Sequence, residues 1–149
     1  MSIWKPSTTV AAVVERDGRF LFVEERIRGQ LVLNQPAGHL DPGESLIAAC
    51  RREVLEETAH RFEPTALVGI YRWHYAAADV TFLRFCFRGR TEGVADRPLD
   101  KEIVGLHWLT REEIVARRNA HRSPLVQRCV DDYLAGRRFP LDVFSTEYA

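Results

Sequence analysis

The sequence has no excess of charge of either sign. Its 149 residues include 21 lysines and arginines and 21 aspartates and glutamates, so the formal net charge is zero. Proteins that bind nucleic acid through bulk electrostatics are strongly basic, and this class is therefore disfavoured. Lysine is scarce, with only Lys5 and Lys101 present. The basic residues are nearly all arginines, which suit bidentate phosphate contacts but also fit a bias in coding composition.

Long apolar runs and paired cysteines are also missing. No apolar run reaches the ~20 residues of a transmembrane helix, and no apolar stretch follows a basic segment near the N-terminus. The cysteines, Cys50, Cys86 and Cys129, lie far apart without a C-x-x-C spacing. Buried free thiols are the default expectation for such residues. We therefore expect a cytoplasmic protein that does not enter a membrane.

The length predicts a single domain over residues 1–149, large enough to bury a substantial core. Alternating apolar residues bounded by turn residues predict six strands. Asp17-Gly18, between the first two, is a strong signal for a hairpin turn. Residues 92–101 are predicted to form a loop. The predicted strands cover residues 8–15, 20–25, 31–34, 66–74, 80–89 and 105–109.

Capping signals and apolar residues at helical spacing predict three helices. The two longest strands carry large apolar residues on both faces, so we expect helices to cover the sheet on both sides. The sequence therefore predicts an α/β fold, an α/β/α sandwich around a mixed β-sheet. The helices are predicted from Glu44 or Ser45 to about Ala59, from Thr110 to about Arg117, and from Ser123-Pro124 to Ala135.

The first of these helices carries an acidic cluster, Glu53, Glu56 and Glu57. Residues three and four apart are neighbours on a helix, and like charges there cost roughly 0.2–0.5 kcal/mol per pair. A hard divalent cation such as Mg²⁺ reverses this cost, because it binds carboxylate oxygens and retains water ligands. The cluster therefore predicts a metal site. In an arbitrary helix, a solvated acidic face would be the simpler explanation.

The spacing around these glutamates is more specific than their charge. The pattern G-x5-E-x7-R-E-U-x-E-E, where U is a bulky apolar residue, is matched by Gly38, Glu44, Arg52, Glu53, Val54, Glu56 and Glu57. It resembles the box of the Nudix hydrolases, which cleave diphosphate linkages attached to a nucleoside or a similar group. The resemblance implies a Nudix-type α/β/α sandwich and a divalent metal ion, Mg²⁺ or Mn²⁺.

The match ends at Ala59 and His60, where the family has a glycine and an apolar residue. Glycine after a helix provides a left-handed C-cap, a conformation that alanine adopts at a cost of about 1 kcal/mol. This departure affects the expected end of the helix. It removes none of the predicted metal ligands.

Each box residue has a predicted role. Glu53 and Glu57, one helical turn apart, are the predicted direct metal ligands. Glu56 is a candidate for a third ligand or for the base that deprotonates water. The resemblance to Nudix enzymes further implies that the carbonyl group of Gly38 joins the metal shell.

Three other residues are predicted to support this site. The resemblance implies that Arg52 and Glu44 form a salt bridge that ties the loop to the helix and orients the glutamates. Glu102 stands where many Nudix proteins have an acidic ligand or base from a separate loop. An ordinary surface glutamate is an equally good explanation of Glu102.

Five residues are candidates for substrate contacts. Arg84 lies in a strand interior, where an unpaired charge is costly, so it needs a carboxylate or phosphate partner. Arg28 lies beside Gly29 in a loop, where a solvated arginine is the simpler explanation. His39 lies beside the metal loop and is a candidate phosphate contact or a surface residue. Trp73 and Tyr75 are suited to stack on a planar base, although Trp73 could equally fill core.

The likeness extends beyond the box. The stretches LVLNQPAGHL, TFLRF, RSPLV and YLAGRRFPL resemble a phosphatase of the Nudix family. This implies release of orthophosphate from nucleoside tri- and diphosphates and from thiamine-type pyrophosphates. A house-cleaning nucleoside triphosphate pyrophosphohydrolase and a catalytically inactive ligand-binding module are the alternatives. In each case a small molecule is the expected partner, and a monomer or small homo-oligomer is the expected form.

Overall fold

Eight strands form two four-stranded sheets in the part of the chain, residues 1–145, that the computed structural model describes. Helices α1, α2 and α3 span Leu46–Thr58, Arg111–Ala116 and Leu125–Leu134, and short 3-10 helices span Arg118–Ala120 and Leu141–Val143. Strands β1 to β8 span Ser7–Val13, Glu15–Arg16, Arg19–Ile27, Gln30–Asn34, Ala37–His39, His60–Tyr75, Val80–Val94 and Ile103–Leu109.

The first sheet is mixed, as predicted. Its strand order is β5-β1-β7-β6, in which β1 pairs parallel with β7 while the other pairs are antiparallel. In the second sheet, β3 pairs antiparallel with β2, β4 and β8. Among the described residues, no helix is long and apolar enough to cross a membrane.

Two apolar cores lie on opposite sides of the first sheet. Because side chains alternate along a strand, β1 directs Ala11 and Val13 into the core around α3. It directs Val10 and Ala12 into the core beneath α1. The α/β/α sandwich is therefore confirmed. The three cysteines are free and buried, as expected.

The predicted hairpin turn at Asp17-Gly18 is confirmed. Both residues have positive φ, 51° and 77°, which is typical of a two-residue turn whose twist matches its strands. Arg28 and Gly29 form a second turn of this kind between β3 and β4, with φ of 50° and 78°. This turn places Arg28 at the exposed tip of a hairpin.

Strands β6 and β7 extend beyond their predicted bounds, and residues 92–94 belong to β7 instead of the predicted loop. The predicted strands began at Ala66 and ended at Gly89, yet Pro64 and Gly89 lie opposite each other in the pairing of β6 with β7. The register shifts next to Pro64, and β6 is an edge strand. Proline is tolerated in these two settings. Gly89 is required because a Cβ there would overlap the backbone of Glu63.

Helix α1 begins and ends close to the predicted bounds. The side chain of Ser45 accepts a hydrogen bond of 3.0 Å from the Ala48 N–H and caps the helix. At the other end Ala59 adopts the left-handed conformation, with φ 60° and ψ 7°. His60 is buried, and its ring Nδ1 lies 2.8 Å from the Thr58 carbonyl oxygen.

Candidate active site

Strand β5, which the sequence did not predict, holds the glycine loop against helix α1. Its pairing with β1 places Gly38 opposite Val10 and His39 opposite Thr9. The carboxylate of Glu53 occupies the space that a Cβ on Gly38 would take. Any larger residue at position 38 would displace this carboxylate. Position 38 therefore requires glycine because there is no space for a larger side chain.

Arg52 connects the loop to the acidic residues. Its guanidinium donates hydrogen bonds to both oxygens of Glu44, at 3.0 and 2.6 Å, and to the His39 carbonyl oxygen at 2.9 Å. The same side chain donates to Glu53 at 2.8 Å and to Glu56 at 3.4 Å. The Glu44–Arg52 salt bridge implied by the family pattern is present. A planar group with five N–H donors is needed to bind so many acceptors at once.

Three carboxylates form the cluster best suited to a cation. Single oxygens of Glu53, Glu56 and Asp100 all lie within 4.8 Å of one another. Asp100 comes from the loop between β7 and β8, and its N–H donates to the Glu56 carbonyl oxygen at 2.9 Å. Asp100 was missing from the predicted site, because only Glu102 was taken from this loop.

Glu57 lies beside this cluster and is largely buried. Its Oε1 accepts a hydrogen bond of 2.9 Å from the Ala37 N–H of β5. Burial raises the pKa of Glu57 to about 9 against the opposing effect of this hydrogen bond, and the charges of Glu25 and Glu53 raise it further. Burial also raises the pKa of Glu25, and the charge of Glu102 adds to the rise.

The carboxylates of the cluster repel one another. Burial raises the pKa of Glu53 to about 7, although its hydrogen bond with Arg52 lowers it; Glu56 and Asp100 add to the rise. Burial, Glu56 and Glu102 raise the pKa of Asp100. Such shifts are common where a site is organised to bind an ion or to transfer protons.

A cavity of about 320 Å³ opens beside the cluster. It brings together seven of the predicted site residues: Gly38, His39, Glu53, Glu57, Trp73, Arg84 and Glu102. Among the residues described, Glu56 and Arg52 do not line it, although Arg52 bonds to Glu53, and Tyr75 lines a neighbouring cavity that shares Trp73. Arg28 lines neither cavity, so the structure does not bring it to the site.

Arg84 and an aromatic stack also line the cavity. Arg84 is buried, and its Nη2 donates to Asn34 Oδ1 at 3.0 Å and to Gln35 Oε1 at 3.1 Å. The ring of Trp73 stacks on Tyr75, with centroids 5.3 Å apart, and on Phe82, at 5.8 Å. The cavity therefore combines carboxylates, a guanidinium and a partly exposed aromatic surface.

Sequence reasoning missed five residues of the site: Glu25, Asn34, Gln35, Asp100 and Arg122. Glu25 and Asn34 were within predicted strands, where the alternation gave no sign that they face a cavity. Asp100 lies two positions before Glu102, in a loop already expected to supply an acidic group. A search of that whole loop for carboxylates would have found it.

Comparison with known proteins identifies this architecture. Residues 4–129 match the NUDIX domain. Over 143 residues, or 95% of this chain and 92% of the relative, the chain is 41% identical to Phosphatase NudJ of Escherichia coli strain K12. This chain belongs to the Nudix hydrolase family. The predicted family resemblance is confirmed, and the protein is an enzyme that hydrolyses phosphoanhydride bonds.

Solved structures agree with this Nudix assignment. A NUDIX hydrolase from Nitrosomonas europaea is 53% identical and superposes with a TM-score of 0.92, covering 95% of this chain and 97% of that one. The MutT protein from Methanosarcina mazei Go1 is 23% identical, with a TM-score of 0.73 and coverage of 91% and 99%. At that identity the second likeness shows the Nudix fold alone.

The side chains fit the divalent cation that Nudix hydrolases generally use. Hard cations prefer carboxylate oxygens, and Glu53, Glu56 and Asp100 offer three of them in one place. Gly38 leaves the space that the Glu53 carboxylate needs. A bound divalent ion neutralises phosphate charge and activates water for attack. The structure thus has a donor set for the ion, with Glu57 adjacent.

Proposed function

We propose that this Nudix hydrolase releases orthophosphate from nucleoside tri- and diphosphates and from thiamine-type pyrophosphates, with Mg²⁺ or Mn²⁺ as its cofactor. The observation that carries the proposal is a single cavity lined both by carboxylates, among them Glu53 and Glu57, and by the buried Arg84. The likeness to a relative named a phosphatase supports it.

In this proposal the residues of the cavity and of the adjoining carboxylate cluster have different roles. Glu53, Glu56 and Asp100 hold the cation, and Glu57 is either a further ligand or a group that ties helix α1 to strand β5 through Ala37. Because Glu56 lies inside the cluster, we favour its role as a metal ligand over its role as the base. Glu102, which lines the cavity, is then the candidate base. Arg84 contacts phosphate.

The aromatic residues of the cavity provide a surface that binds the rest of the substrate. Trp73 stacks on Phe82 and lines the cavity, so a planar base or pyrimidine ring has a surface to stack on. Tyr75 extends this surface on the other side of Trp73. His39 is exposed beside Gly38 and can reach a phosphate group at the mouth.

The cavity volume of about 320 Å³ suits a small molecule better than a polymer. A nucleotide or pyrophosphate is therefore the expected partner, without bulk binding of nucleic acid. The expected form, a monomer or small homo-oligomer, and the expected cytoplasmic location remain predictions.

Phosphorus NMR of the products tests the proposed reaction. GTP, GDP and thiamine pyrophosphate would each be incubated with the protein and Mg²⁺, then with Mn²⁺. We expect orthophosphate from all three substrates. Pyrophosphate and a monophosphate from GTP, with the other two untouched, would assign the house-cleaning pyrophosphohydrolase instead. Binding without turnover would assign the inactive module.

Glu57→Gln tests the metal site. Glutamine keeps an oxygen that accepts from the Ala37 N–H but removes the charge, so the loop stays in place while the cation is held less well. We expect phosphate release to fall at least about 100-fold. Glu112→Gln, on the exposed face of α2, is the matched control. Unchanged turnover in Glu57→Gln would remove Glu57 from the ligands.

A further inference from the structure

Arg84 is a buried cation held by neutral groups. Only 5% of its surface is exposed, and its hydrogen bonds go to the amide oxygens of Asn34 and Gln35. No carboxylate among the described residues lies within 4.0 Å of its guanidinium. Glu25 lines the same cavity, and the charge of Arg84 opposes the rise that burial causes in the pKa of Glu25. A buried charge of this kind normally requires an anionic partner.

The unbonded part of Arg84 faces the cavity. Both amide contacts use Nη2, one N–H for each oxygen. No side-chain nitrogen of the described residues is buried without a partner. Because Arg84 lines the same cavity as Glu53 and Glu57, the other N–H groups of its guanidinium are accessible there. They are free to bind the oxygens of a phosphate group.

Gln35 is itself fixed from the opposite side. It is 1% exposed, and its Nε2 donates to the carbonyl oxygen of Val126 in the first turn of α3. Its Oε1 is thereby turned toward Arg84. Since an amide has distinct donor and acceptor ends, the contact with Val126 determines which end Arg84 meets. This series of hydrogen bonds, from α3 through Gln35 to Arg84, thus holds the guanidinium in one orientation.

We infer that Asn34 and Gln35 are positioning residues that hold Arg84 for a substrate phosphate without neutralising its charge. This inference rests on the proposed function, in which Arg84 contacts phosphate. An aspartate or glutamate in either place would hold the guanidinium equally well. It would also compete with phosphate for the same charge, so neutral amides make the site selective for an anion that arrives with the substrate.

Asn34→Asp separates the positioning of Arg84 from the neutralisation of its charge, because aspartate has the same shape and still accepts from Arg84. We expect kcat/KM for GTP to fall at least about tenfold, mostly through a rise in KM, as for the loss of a charged hydrogen bond. Gln30→Glu adds the same charge to an exposed position of strand β4 and is the control. An unchanged KM in Asn34→Asp would overturn the inference.

A spectroscopic test follows the guanidinium directly. The Nε–H resonance of Arg84 would be recorded by ¹⁵N NMR, assigned from its loss in Arg84→Lys, and followed during titration with inorganic phosphate. We expect a narrow signal that shifts with phosphate. In Gln35→Met, which keeps the volume but not the hydrogen bonds, it should broaden and need at least about tenfold more phosphate.

These outcomes separate the inference from the proposed function. If GTP yields pyrophosphate but the Arg84 resonance responds to phosphate as expected, the proposed reaction fails while the positioning role stands. A resonance that does not shift with phosphate overturns the inference whatever the products are. If Gln35→Met does not fold, the same titration of Asn34→Asp decides, because a normal phosphate response there contradicts the role.

Discussion

At the scale of single residues, the site places carboxylate oxygens close together and compensates part of their negative charge. Oxygens of Glu53, Glu56 and Asp100 lie within 4.8 Å, where the gross repulsion of each ionised pair is at least about 3 kcal/mol at an effective dielectric of ~20. Arg52 offsets part of it by donating to Glu53 and Glu56. The remainder favours an additional cation.

The residues that could be predicted are those whose contacts are local in sequence. Arg52 bonds to Glu44, Glu53 and Glu56, so helical periodicity and one loop suffice to group them. Asp100 and Arg84 arrive from other elements. Their neighbours depend on strand pairing, which a spacing pattern does not specify. For Arg84 the sequence indicated only that an interior charge needs a partner.

Asp100 provides a test of the cluster as the structure defines it. Replacing it with asparagine removes one anionic oxygen beside Glu53 and Glu56 while keeping its size. We expect Mg²⁺ affinity, measured by calorimetry, to fall at least about tenfold. Asp96→Asn changes an exposed residue of the same loop and should leave affinity unchanged. Equal affinities in the two variants would exclude Asp100 from the cation site.

At the scale of elements, helix α1 was predicted well because its signals are local. Ser45 caps it through its own side chain, and Ala59 ends it in the left-handed region. Strand β5 was missed because its three residues, Ala37–His39, have no strand pattern and form a strand only by pairing with β1. Strand β6 was predicted too short because its irregular register accommodates Pro64.

The end of α1 explains how the chain tolerates its departure from the Nudix pattern. Ala59 donates to the Leu55 carbonyl oxygen at 2.9 Å and accepts from the Ala95 N–H at 2.7 Å, so tertiary contacts hold it in a costly conformation. His60 fills the apolar position with a buried ring, edge-on to Trp108 at 5.9 Å between centroids.

Ala59→Gly should therefore stabilise the protein. Glycine adopts φ of 60° without the penalty of about 1–2 kcal/mol that a Cβ imposes, and part of that gain is lost to the greater freedom of glycine in the unfolded chain. We expect a higher melting temperature by calorimetry. Ala48→Gly, inside α1, is the control and should lower it, by about 1 kcal/mol in stability. A lower melting temperature for Ala59→Gly would mean that the alanine at residue 59 is not strained.

At the scale of the whole molecule, the sandwich brings partly or fully buried carboxyl groups together from several elements. Glu53 and Glu57 come from α1, Glu25 from β3 and Asp100 from the loop after β7. Burial is the leading cause of the raised pKa values of all four. The fold therefore concentrates groups that resist ionisation, and its stability must depend on pH.

The direction in which stability changes with pH follows from proton binding. With pKa values of about 7 for Glu53 and about 9 for Glu57, the folded protein binds more protons than the unfolded chain, in which glutamate titrates near ~4.3. Stability from these groups is complete below that value and is lost as pH rises through about 7 and about 9. We expect the melting temperature of the metal-free protein to fall between about pH 5 and about pH 9.

Glu57→Gln removes the group with the larger shift, so its melting temperature should fall less steeply over the same range. Saturating Mg²⁺ should also flatten the decline, because ligand carboxylates must lose their protons to bind it. Glu112→Gln should follow the unaltered protein. The measurement is differential scanning calorimetry in a chelator and then in Mg²⁺. A melting temperature that stays level or rises with pH in the chelator would mean that Glu57 is already ionised in the folded protein across this range.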